Sequence, residues 1–170
     1  MRFPLLPKHS FRRYTDISPD FLMARGIKFL MLDLDNTIAK YSEHSPSAAA
    51  VLWINDLKNN NLTLHFISNS KRVDRVEVFS AALEIDFIKN ARKPSPNALL
   101  RAMETSAFTA SESAFIGDQI FTDTLAANRA DVMSILVRPL SLKNPLLLLR
   151  FVAETPFRIL HALNKTFTKR

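Results

Sequence analysis

Five times along this chain a short run of apolar, β-prone residues stops and gives way to a stretch with helical spacing. Residues 28–32, 62–67, 86–89, 113–116 and 133–137 read as strands, too apolar to leave one face in water. Between them, helices are expected over 46–59, 72–83, 96–106 and 122–129. Ser45 before Pro46 and Ser95 before Pro96 supply cap-plus-proline starts. Only Gly26 and Gly117 occur as glycines, so helix stops fall on Asn59 to Asn61 and on Asp131, residue types that tolerate left-handed backbone. Strict alternation of strand and helix predicts an α/β fold, a five-stranded parallel sheet flanked by helices.

In an open α/β sheet, ligands collect beyond the carboxyl ends of the strands. Here the first strand is followed by DLDNT (33–37), the second by SNS (68–70), the third by ARKP (91–94) and the fourth by GDQIFTD (117–123). Every corner is polar, and all four belong on one rim.

Asp33 and Asp35 are two apart and point the same way on extended backbone, where like charges oppose each other's ionisation. A hard divalent cation relieves that repulsion, and Asp118 brings a third carboxylate to the same rim. With no Cys and only scattered His (His9, His44, His65, His161), zinc is excluded in favour of Mg²⁺. His65, inside a strand, is read as structural. One aspartate beside such a cation can attack phosphorus, while Lys93, the Ser68 hydroxyl and the turn amides around Leu34 and Asn69 steady the phosphoryl oxygens. Asp35 is suited to protonate the leaving oxygen and then to activate water. Asn128 and Arg129 follow the fourth corner closely enough to reach a substrate, although an Arg at a helix end also complements the dipole.

DLDNT, SNS, KP and IGDQIFTD, in that order, resemble the four motifs of the haloacid dehalogenase (HAD) superfamily, which implies a HAD-like Rossmannoid fold and phosphatase activity. Over roughly residues 14–145, the segments GIKFLMLDLDNT, ISNS, ARKP, IGDQIFTDTLAANRA and SILVRPL resemble the YqeG family of HAD subfamily IIIA, related to phosphatidylglycerophosphate phosphatases of mitochondria and plastids. The resemblance implies Asp33 as nucleophile and Asp35 as acid/base that also lends its backbone carbonyl to Mg²⁺. It further implies Ser68 and Lys93 as phosphoryl holders, Asp118 as metal ligand with Asp123 in support, and Thr37 as a brace of the first loop. The expected sets are therefore catalytic Asp33, Asp35, Ser68 and Lys93; substrate-side Thr37, Asn69, Lys93 and Arg129; and metal-side Asp33, Asp35, Asp118 and Asp123. The chain departs from the family at Ser70, where Asn is frequent, and at Ala126, Ala127 and Asp131, where glycines are frequent.

Thirty residues separate Thr37 from Ser68 and twenty-two separate Ser70 from Lys93, room in each for one helix and one strand but not for a cap domain. An uncapped site favours a phosphate carried on something large. The net charge of +7 is concentrated at the ends: residues 138–170 hold seven basic side chains and one acidic, residues 1–26 five and two. Residues 1–144 are read as one capless domain and 145–170 as a basic amphipathic tail of two short helices begun by Pro145 and Pro156. In the second, Phe157, Leu160, Leu163 and Phe167 form a stripe, with Arg158, His161 and Lys165 off it. Such a helix lies on an anionic lipid surface or packs as core; if it is a detachable tail, cutting after Val137 spares hydrolysis of a small aryl phosphate. Lys71, Arg72 and Arg75 either attract an anionic head group or form a solvated first turn. With no apolar run near the eighteen residues of a spanning helix and Pro4 and Pro7 interrupting any leader, a cytoplasmic protein, peripheral on the inner membrane face, is expected. The substrate expected is phosphatidylglycerophosphate. A nucleotide, a nucleic-acid end, a phosphoprotein or a non-catalytic basic scaffold remains as an alternative, although the flanks lack the basic and aromatic interleaving of single-strand binders.

Overall fold

The computed structural model describes residues 4–70 and 73–167. Among the described residues six strands occur, β1 (His9–Ser10), β2 (Phe29–Leu32), β3 (Thr63–Ile67), β4 (Asp86–Ile88), β5 (Ser113–Gly117) and β6 (Met133–Leu136). They form one parallel sheet in the order β1-β6-β5-β2-β3-β4. The sheet has one strand more than the sequence predicts. His9 and Ser10 pair with Ile135 and Leu136 at the edge, and a two-residue strand is too short to show a period.

The chain leaves β2 for β3 on one side and returns to β5 on the other, so the crevice where the winding reverses lies at the carboxyl end of the middle strands. All four residues of β2 are buried. Leu30 and Leu32 join the Trp53, Ile54, Leu57 and Phe79 cluster on one face, while Phe29 and Met31 join Leu99, Ala102, Phe115 and Ala126 on the other. Each such side chain contributes roughly 1.5–3 kcal/mol of burial, which pins the register that aims the next residues at the rim. The N-terminal flank is part of this core: Tyr14, Ile17 and Leu22 are buried, and the Trp53 indole donates to the Ile17 carbonyl at 2.8 Å.

The helices are α1 (Pro19–Met23), α2 (Ala48–Asn59), α3 (Val73–Leu83), α4 (Asn97–Thr105), α5 (Leu125–Arg129) and α6 (Pro145–Phe167). Ser47, not Ser45, caps α2, its hydroxyl accepting from the Ala50 amide. Asn61 and Asp131 adopt positive φ, as their residue types predict, and so do Glu84 and Ala107, which nothing in their types announces. No helix among the described residues is long and apolar enough to cross a membrane.

The two short C-terminal helices expected from sequence are one continuous helix with Pro156 inside it. Its inward side carries Arg150, Phe151, Glu154, Arg158 and His161; its outward side carries Leu146 (71 % exposed), Leu149 (70 %), Val152 (57 %), Ile159 (55 %) and Leu163 (52 %). Four polar side chains thus face the domain beside Phe151 and Phe157, while an apolar row faces out, unlike an ordinary surface helix. Packing of the stripe as core is overturned for Leu160 and Leu163, which are exposed. The side chains of Lys165 and Phe167, and Lys71 and Arg72 altogether, lie outside the described residues.

Candidate active site

Asp33 extends the β2 ladder by one bond, its amide donating to the Ile116 carbonyl at 2.9 Å. The chain then turns tightly: Asn36 takes φ 68° and the Ile38 and Ala39 amides both donate to the Leu34 carbonyl. That turn delivers the Thr37 hydroxyl to Asp33 Oδ2 at 2.8 Å and within 3.3 Å of Asp118 Oδ1. Thr37 is wholly buried against these two carboxylates, the position of a brace, and it was expected on the substrate side.

Lys93 arrives from the corner after β4. Its ammonium sits 2.6 Å from Asp33 Oδ1, 2.8 Å from Asp123 Oδ1 and 3.0 Å from the Ile67 carbonyl. The Asn69 amide aims it by gripping the Lys93 backbone from both sides, donating to its carbonyl (3.0 Å) and accepting from its N–H (2.8 Å). Asn69 is therefore a clamp on the lysine loop as well as a wall of the cleft. Ser68 is buried at the end of β3, its hydroxyl accepting from the Ser70 amide.

Carboxylate oxygens of Asp33, Asp118 and Asp123 lie within 4.8 Å of one another, all buried. Burial raises the Asp33 carboxyl to about 7, with Lys93 opposing and Asp123 adding to the shift. Asp118 is likewise raised, first by burial and then by Asp123 and Asp33. Burial acts to lower Lys93, but Asp123 and Asp33 outweigh it and hold the ammonium above the ordinary lysine range. Three crowded, desolvated carboxylates with one ammonium form a net negative, all-oxygen donor set, which fits a hard cation such as Mg²⁺. The Asp35 carboxylate is not in that cluster. It pairs with Arg75 of α3, Nε to Oδ1 at 2.8 Å, while the other guanidinium nitrogens donate to the Lys40 (2.6 Å) and Glu43 carbonyls. The Asp35 side chain thus stands with Arg75 and outside the three-carboxylate cluster, whereas the resemblance implies a metal contact through its backbone carbonyl.

The cleft above these groups holds about 620 Å³ and is lined by Asp33, Asp35, Ser68, Asn69, Lys93 and Asp123 together with Tyr41, Gln119, Asn144 and Arg150. Burial, followed by the nearby aspartates, pushes the Tyr41 phenol up to about 12, so it stays a hydrogen-bond donor. Arg129 does not reach the cleft. Its guanidinium donates to the Pro94 carbonyl at 3.0 Å, and Asn128 is engaged with Pro4, Leu6 and Ser134. Both stand at the far end of α5, pointed at neighbouring loops.

Arg75 is neither the solvated first turn nor the free head-group attractant expected of it: it is buried beside Val76, four residues before Phe79, where a charge needs a partner, and its guanidinium is taken up by Asp35 and two carbonyls. Other residues that matter here escaped the sequence reading. Glu154, 1 % exposed, accepts from the Ile120 and Phe121 amides at the start of the π-helical turn Ile120–Thr124, and Arg158 Nη2 donates to the Asp118 carbonyl at 2.6 Å. Arg150 donates to the Gln119 side-chain oxygen. The C-terminal helix therefore holds the loop that carries Asp118 and Asp123.

Residues 90–142 match the family model described as "HAD-hyrolase-like". Among solved structures, cobalt-bound deoxy-D-mannose-octulosonate 8-phosphate phosphatase from Haemophilus influenzae superposes with a TM-score of 0.53 at 21 % identity, covering 66 % of this chain and 69 % of that one. The 3-deoxy-D-manno-octulosonate 8-phosphate phosphatase from Yersinia pestis gives 0.55 at 17 % identity, covering 76 % and 72 %. These likenesses show the fold. The Probable phosphatase YqeG of Bacillus subtilis (strain 168) is 32 % identical over 160 residues, 94 % of this chain and 92 % of that protein. With that match across nearly its whole length, laid over a carboxylate-floored cleft at the winding reversal of an α/β sheet, the chain belongs to the YqeG-type phosphatases of the HAD superfamily.

Proposed function

We propose that this chain is a Mg²⁺-dependent phosphomonoesterase that works through an aspartyl-phosphate on Asp33, and that its substrate is phosphatidylglycerophosphate met at the inner face of a membrane. The observation that carries the chemistry is the Asp33 carboxylate on the floor of the cleft, bracketed by Thr37 and Lys93 with Asp118 and Asp123 alongside. A carboxylate oxygen of Asp33 attacks phosphorus as the bond to the alcohol oxygen breaks, and the carboxyl of Asp35 gives that oxygen its proton. Asp35 then takes a proton from water, whose oxygen attacks phosphorus; the bond to Asp33 breaks and inorganic phosphate leaves. Ser68 and Lys93 donate to the phosphoryl oxygens, and Arg75 fixes the direction of the Asp35 carboxylate. Mg²⁺, held by Asp33, Asp118 and the Asp35 backbone carbonyl with Asp123 in support, would neutralise the approach of one anion to another.

The choice of a lipid rests on α6. Leu146, Leu149 and Val152 are exposed on the outward side of the helix whose inward Arg150 lines the cleft. Residues 138–170 hold seven basic side chains against one acidic, and those not turned inward, as Arg150 and Arg158 are, add about 1 kcal/mol each near an anionic surface; a contiguous exposed apolar row marks a contact site. Among the described residues no folded lid covers Asp33. A bilayer-borne phosphate can approach such an open mouth.

Phosphate release from phosphatidylglycerophosphate in detergent micelles, from nucleotides and from phosphopeptides, with Mg²⁺ and with chelator, tests the proposal. Release from the lipid is expected to require Mg²⁺ and to vanish in Asp33→Asn. Asp35→Asn is expected to lose roughly 10²–10⁴-fold on the lipid and less on p-nitrophenyl phosphate, whose leaving group needs no proton. Full turnover by Asp33→Asn sinks the mechanism; a strong preference for nucleotides or phosphopeptides sinks the substrate.

A further inference from the structure

Asp33, Ser68 and Lys93 account for the phosphoryl end of the cleft and leave its mouth unassigned. A volume of about 620 Å³ matches pockets that enclose a whole small ligand, well beyond one phosphoryl group. Among the described residues, two cationic side chains line it, Lys93 and Arg150. Lys93 pairs with Asp33 and Asp123 at the phosphoryl end of the cleft. Arg150 is bonded to the neutral Gln119 side chain, and among the described residues no carboxylate stands within ion-pairing distance of it. Its guanidinium therefore stands on the cleft wall, half-buried and with no carboxylate of its own among the described residues, and the Asn144 amide and the Tyr41 phenol are further donors on the same walls. A guanidinium fork matches the oxygen spacing of a phosphate or a carboxylate.

We propose that Arg150 is a specificity-determining residue that binds a second anionic group on the leaving-group side of the substrate, so that the site selects phosphomonoesters whose alcohol carries its own negative charge. This rests on the assignment of Asp33 as the phosphoryl end of the cleft. The bridging phosphodiester of a glycerophospholipid and the carboxylate of a phosphorylated acid share the required chemistry. The geometry also explains why a helix with an apolar outer row lends one arginine to the interior: the same element that would meet a lipid surface would read the head group.

The test compares three esters on the full chain with Mg²⁺: glycerol 1-phosphate (neutral alcohol), 3-phosphoglycerate (carboxylate) and short-chain phosphatidylglycerophosphate (phosphodiester). Wild type is expected to favour one charged alcohol over glycerol 1-phosphate in kcat/KM, and which one identifies the source of the anion. In Arg150→Ala that preference is expected to fall roughly ten- to a hundredfold, mostly through KM, with part regained in Arg150→Lys. Affinities of the same esters for Asp33→Asn, with and without Arg150→Ala, are read by calorimetry, so the inference stands or falls even where turnover fails. It is overturned if Arg150→Ala keeps the preference in both kinetics and affinity. It is equally overturned if all three esters lose by one common factor, since Arg150 would then serve only to hold Gln119, or if wild type prefers neutral alcohols. Absence of turnover in wild type with an Arg150-dependent affinity for the charged esters would instead sink the proposed reaction and leave the anion site intact.

Discussion

Gly117 has no room for a side chain: a Cβ placed there would stand 2.4 Å from the Asp123 Cβ and 2.5 Å from its carboxylate oxygen. Glycine is required by this close approach and not by an unusual φ. Gly117→Ala is expected to push Asp123 off Lys93 and to lower phosphate release about 10²-fold, since displacing a site group by an ångström costs that much. A folded protein by circular dichroism with unchanged turnover would show that Asp123 is dispensable. Asp33, Asp35, Ser68, Lys93 and Asp118 were legible because each stands at a strand end, where the side-chain period and the next turn fix its direction. Arg129 was misread because nearness in sequence to a polar corner says nothing of which way the last turn of α5 points. Arg75 was misplaced and Glu154 missed because their partners lie 40 and 34 residues away, a distance no local pattern spans.

Ahead of β5, a single 3₁₀ turn (Ala110–Glu112) is closed by Glu112, whose carboxylate accepts from the Thr109 hydroxyl at 2.7 Å and lies 2.7 Å from the Lys28 ammonium before β2. The Lys28 bond and the two Thr109 bonds hold its carboxyl down at about 2. A folded value below the unfolded one means stability that is whole above pH 4.5 and is lost as pH falls toward 2. Urea midpoints of wild type and Glu112→Gln should therefore differ at pH 6 and converge between pH 4.5 and 2; a gap that widens on acidification would contradict this assignment. Strands β2 to β6 were readable because each buried run is bounded by polar corners. The edge strand β1 gave no period, and Pro156 misled because proline usually opens a helix. Here Glu154 and Arg158, on either side of it, bind the same loop and keep one axis through the proline.

At the scale of the molecule, α6 acts as a clamp. A chain ending at Val137 would lose the Glu154 bonds to Ile120 and Phe121 and the Arg158 bond to Asp118, so truncation is expected to abolish hydrolysis of a small aryl phosphate as well as vesicle binding. Retained hydrolysis would restore the picture of a detachable tail. Leu149→Glu with Val152→Glu should weaken flotation with anionic vesicles; an unchanged flotation would point the outer row at some other partner. Five of the six strands and the rim could be anticipated because alternation and corner chemistry are local properties. The inverted helix could not, because an apolar stripe in a sequence does not say which side meets water. An engineer seeking a more soluble protein would trim or recolour this helix first, and would find yield bought with turnover, because the greasy outer row and the grip on the aspartate loop share one backbone.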